Sequence, residues 1–152
     1  MPAKILRRVL PVSLLAALLF AGACSGPSYD ENMQKGKELL SGEGEQDVTD
    51  AIESFSAAVK QRPDSYQAFY YRGMAESRLF DCAKALPDFS RAIELYPGFA
   101  DAYYRRALCY ILVDQTGSSR AVSDLKTTLA LDPDHQGAAW HLDFIARQGR
   151  AN

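Results

Sequence analysis

Residues 68–97 read AFYYRGMAESRLFDCAKALPDFSRAIELYP. Ala68, Phe69, Arg72, Gly73, Glu76 and Leu79 recur at helical spacing, and Ala85, Leu86, Phe89, Ala92, Ile93 and Leu95 do so again after a short break. Two amphipathic helices are predicted. Gly73, Ala85 and Ala92 lack bulk where the two axes must come close, and Phe89 has the size to fill the space between them. Asp81 offers the side chain of an N-cap to the second helix, and Pro97 follows its last turn, where helix continuation is blocked. Pro87 breaks the pattern: inside the second helix it removes a bond to Ala83 and costs roughly 3 kcal/mol. A kink or an irregular first turn is expected there.

Working outward, Pro63, Pro97 and Pro133 stand 34 and 36 residues apart. Five places before each is a small residue (Ala58, Ala92, Thr128), eight places before a large apolar one (Phe55, Phe89, Leu125), and twelve places before an alanine (Ala51, Ala85, Ala121). A period near 34 with two helices per unit resembles the tetratricopeptide repeat. The resemblance covers residues 29–148, and Ala68 to Gly73 and Ala102 to Ala107 are similar to a bacterial subtype with Arg just before the small residue. It implies an all-α fold, a right-handed α-solenoid of about three helix pairs plus a C-terminal capping helix. The units are 29–65, 66–99 and 100–135, with the cap at 136–149. Unit one has Gly36 as its small residue and a lengthened turn from Ser41 to Gln46; unit three inserts two residues around Gln115 to Ser119.

The N-terminus carries a separate message. Lys4, Arg7 and Arg8 precede an apolar stretch from Val9 to Phe20, followed by Ala21-Gly22-Ala23-Cys24, so residues 1–23 read as an export signal. The stretch is too short to span a bilayer. A cysteine directly after the processing site resembles the bacterial lipobox, whose thiol is acylated before cleavage; the alternative is a secreted protein with a free Cys24. The resemblance implies diacylglyceryl and N-acyl lipid on Cys24, and Ser25 after it implies outer-membrane sorting, on the periplasmic face. The tether, residues 24–28, spans at most roughly 14 Å beyond Cys24, so the repeats would work close to the lipid headgroups.

Removing residues 1–23 leaves 14 Lys and Arg against 19 Asp and Glu, a formal charge of −5. Nucleic acid is not an expected partner, because phosphate binding rests on a surplus of clustered cations. His135 sits in the turn Asp132-Pro133-Asp134 and His141 on the cap helix, with no spacing that resembles a metal site or a nucleophile with its base. No catalysis, metal or cofactor is expected. Cys82 and Cys109 can bond only if their Cα atoms lie within about 7 Å. Two buried thiols acting as small apolar residues are expected, with a bridge as the alternative.

The repeat resemblance also implies a groove, lined by successive first helices. Its inner positions map onto Tyr70, Met74, Ser77 and Arg78 in unit two, Tyr104, Arg105, Leu108 and Ile111 in unit three, and Trp140, His141 and Phe144 in the cap. Tyr70, Tyr104 and Trp140 occupy one position in successive helices, a ring ladder suited to a peptide; the alternative is that Trp140 is cap-helix core and the tyrosines only shield the inner face. Repeats that grip a terminal carboxylate carry Lys and Asn where this chain has Tyr70 and Met74, or Tyr104 and Leu108, so an aromatic-apolar ligand is expected instead. The plan resembles lipoproteins that recruit or scaffold another cell-envelope protein; the alternative is a self-associating structural subunit of an envelope assembly.

Overall fold

Capping side chains set where the helices begin. The computed structural model describes residues 26–114 and 118–148, so the predicted signal segment, Cys24 and Ser25 lie outside the described residues. Within them are seven helices: α1 (Tyr29–Ser41), α2 (Glu45–Gln61), α3 (Tyr66–Arg78), α4 (Cys82–Leu95), α5 (Ala100–Asp114), α6 (Ser119–Leu131) and α7 (Gln136–Gln148). Ser28, Ser65, Asp81 and Ser118 each accept a hydrogen bond from the backbone N–H three residues on, and Ser28 and Glu31 complete a reciprocal capping box. Asp81 is the cap its position predicts.

Each of α1/α2, α3/α4 and α5/α6 forms a pair, successive pairs stack, and α7 packs on α6. The small residues are spacers, as read. A Cβ at Gly36 would lie 2.6 Å from the Phe55 ring, and one at Gly73 would lie 3.0 Å from Phe89. Phe55, Phe89 and Leu125, the three large residues at the common offset, are fully buried, one between the helices of each pair.

Pro87 does not unravel the first turn. Helix α4 runs through it, and Ala85 N–H donates to the Asp81 carbonyl at 3.1 Å, so the first turn is regular. Pro87 and Ala83, whose carbonyl loses its partner, are both exposed. The α3 terminus was not foreseen. Phe80 takes the left-handed conformation (φ 59°), while Phe80 N–H donates to Ser77 and Asp81 N–H to Glu76, the double bond of a helix stop usually built on glycine.

Two ion pairs join the paired helices, α3 to α4 and α5 to α6. Arg72 forks onto Asp88 at 2.6 and 2.7 Å, and Arg106 onto Asp124 at 2.8 and 2.9 Å. Each also donates to a serine of the preceding unit: Arg72 to Ser56 at 3.5 Å and Arg106 to Ser90 at 3.1 Å. This explains arginine where a large apolar residue is commoner. Hydrogen bonding to the carboxylate holds both guanidinium groups above their ordinary pKa. Beside the first pair, Glu76 is buried with Oε2 unpaired; burial first, then the charge of Asp88, pushes its carboxyl up to about 7.

The expectation of two separate thiols is corrected. Cys82 and Cys109 form a disulfide with Cα atoms 5.2 Å apart. Cys82 opens α4 and Cys109 lies midway along α5, so the bond staples unit two to unit three. Sequence separation hid this, because only stacking brings the start of one second helix against the middle of the next first helix.

Candidate functional site

The first helices α1, α3 and α5 line a concavity of about 310 Å³ walled by Leu40, Met74, Leu108 and Leu112, with Arg78 and Arg105 at its edges and Ser77 and Cys109 completing the lining. Five predicted groove residues are therefore together: Met74, Ser77, Arg78, Arg105 and Leu108. Leu40 and Leu112 were missed. Leu112 is 56% exposed at the end of α5, and an apolar side chain one residue beyond Ile111 on a first helix was the available signal.

The ring ladder does not form. Tyr70 is only 8% exposed and belongs to the core, its ring 4.6 Å from Phe99 and 6.2 Å from Phe89. Burial raises its phenol pKa, and Arg105, charged and hydrogen-bonding, pulls it back. Tyr104 is covered by the start of α7: its ring lies 4.4 Å from His135 and 5.8 Å from His141, and its hydroxyl fills the space a Cβ at Gly137 would need. Ile111 packs half-buried beside the Leu125 cluster, not in the concavity. His141 is half-buried, its Nδ1 2.8 Å from the Gly137 carbonyl.

Trp140 does reach solvent. It is 60% exposed and stacks at 5.3 Å on Phe144, itself 44% exposed, forming a separate aromatic patch on α7. Arg78 lies at the groove edge, but its guanidinium is held by the backbone carbonyls of Leu40 and Gly42 at the α1–α2 turn. That anchoring also steadies the lengthened turn of unit one.

His135 is taken up in local structure. Its Nδ1 accepts from Ala138 N–H at 3.1 Å and its Nε2 lies 3.6 Å from Asp101. Among the described residues, no group of three His, Cys, Asp or Glu side chains could hold a metal ion. No helix among them is long and apolar enough to cross a membrane.

The tetratricopeptide repeat family model matches residues 43–79 and 77–112. DnaJ homolog subfamily C member 3 of Rattus norvegicus is 34% identical over 122 residues, covering 79% of this chain and 23% of that protein. The chain thus spans about a quarter of the length of the curated relatives it matches. Among solved structures, the first tetratricopeptide domain of Spaghetti (RPAP3), bound to an HSP90 peptide, superposes with a TM-score of 0.73 at 22% identity over 82% of this chain and 94% of that one. MamA superposes with a TM-score of 0.74 at 24% identity over 90% and 74%. At these identities the structures establish the fold: an all-α tetratricopeptide solenoid.

Proposed function

From a chain that carries tetratricopeptide repeats, we propose a protein-binding module without catalysis of its own, whose inner groove holds a segment of another protein. The observation that carries this reading is the concavity of α1, α3 and α5, where Met74, Leu108 and Leu112 present apolar surface to solvent. Apolar surface in a concave site is where peptide side chains gain most from leaving water. Solved neighbours that hold HSP90 or HSP70 peptides support a protein or peptide partner.

The finer reading follows the N-terminal sequence. Lipid on Cys24 would anchor the module to the outer membrane, facing the periplasm, where the partner is another cell-envelope protein. Two or more acyl chains suffice for stable anchoring, at about 0.8 kcal/mol per buried methylene. Cys24→Ala should abolish fatty-acid labelling and leave the chain unprocessed by the lipoprotein-specific peptidase. Labelling that persists in this variant removes the anchor.

A photo-crosslinking amino acid at Leu112 in the anchored protein tests the partner. One distinct envelope protein, no longer captured when Leu108 is changed to Glu, is the expected result. Capture of this chain alone would favour self-association, for which the exposed Trp140–Phe144 stack on α7 is the supporting observation. Concentration-dependent sedimentation would then accompany it.

A further inference from the structure

Eight arginines stand among the described residues. Six make an ion pair with Asp or Glu. The two without one are Arg78 and Arg105, and both line the groove, which has no acidic residue in its lining. Arg78 bonds only neutral carbonyls there. Arg105, half-buried, leans on the Tyr70 phenol, a neutral group at physiological pH that burial keeps further from ionising. In a chain of formal net charge −2, two arginines without an ion-pair partner stand beside Leu40, Met74, Leu108 and Leu112. Arg78 also borders a depression lined by Glu43 and Glu45, so Arg105 is the one directed to the groove.

A guanidinium against apolar walls gains more from a carboxylate than one in open water, since the surrounding dielectric is lower. We propose that the groove takes a segment of a partner protein that sets an Asp or Glu side chain on Arg105 and a large apolar side chain in the adjoining concavity. This rests on the protein-binding reading and narrows it. Arg78, fixed to the turn, adds field and register without moving. The carboxylate is a side chain within the segment, since Tyr70 and Met74 stand where a grip on a chain terminus would need Lys and Asn.

Random dodecapeptides displayed on phage, selected on the full-length protein, test it. Enriched sequences should carry an acidic residue close to Leu, Ile or Phe. A fluorescent synthetic copy, followed by anisotropy, should lose at least tenfold in affinity when its acid becomes the amide. It should lose as much against Arg105→Gln and recover most of that against Arg105→Lys. Arg91→Gln, on the outer helix α4, should change nothing. Peptides that are uncharged and indifferent to Arg105→Gln, yet lost with Leu108→Glu, overturn the charge assignment while leaving the groove standing. Enrichment of sequences matching this chain overturns it in favour of a second copy, and the absence of any Leu108-dependent peptide overturns both readings.

Discussion

Phe89→Ala should lower the unfolding free energy by about 3 to 5 kcal/mol, read as a shift of the denaturant midpoint at constant slope. The ring is fully buried and lies 3.0 Å from where a Cβ at Gly73 would stand. Collapse onto the vacated space is restricted on two sides. The Arg72–Asp88 fork holds α3 to α4 next to the ring, and the Cys82–Cys109 bond holds α4 to α5. The loss therefore belongs at the upper end of the range, and a loss near zero would mean that Phe89 is not the filler between these two helices.

Glu76→Gln should stabilise the protein at pH 8 by about 3 kcal/mol and leave it unchanged at pH 4. The folded carboxyl titrates near 7 against 4.5 for its ordinary value. Asp88 and Asp81 add to the effect of burial, while Arg72 and Lys84 oppose it. Because the folded state binds this proton more tightly, the stability it confers is complete below about 4.5 and is lost as pH rises through about 7. Above that, the protein carries a buried charge with one oxygen unpaired. Glutamine is neutral throughout, so chemical denaturation of both proteins across pH 4 to 8 should show curves that meet at the acid end and diverge toward the alkaline end. Parallel curves would contradict the shifted titration.

The pairing of helices was legible because steric spacing is periodic: Phe55, Phe89 and Leu125 announce their roles by offset from the prolines, and Gly36 and Gly73 by their place on the first helices. The Arg72–Asp88 and Arg106–Asp124 forks recur almost as regularly, yet they went unread because partners 16 and 18 residues apart look unrelated until two helices fold back on each other. The groove was legible by half. Met74, Arg105 and Leu108 follow from position along a first helix, whereas the fates of Tyr70 and Tyr104 depend on Phe99 and His135, turn residues at the start of the next helix. Position along a repeat determines which way a side chain leaves its helix; what the following turn lays over it is tertiary information. The Phe80 stop was illegible for a different reason, since a left-handed residue without glycine leaves no compositional mark.

The serine contacts of Arg72 and Arg106 tie each fork to the unit before it. At the corresponding places unit one has Lys35 and Ser54, and α7 has Leu142. In a stacked array, stability is a sum of unit terms and junction terms, and cooperativity lives in the junctions. Here the arginine–serine junctions run from α2 to α6, and α1 is tied to the second unit by Arg78 on the Leu40 and Gly42 carbonyls and by the Tyr29 hydroxyl on Ser65. The array is thus a block from α1 to α6 that melts as one, and α7, packed chiefly on α6, is the element that frays first.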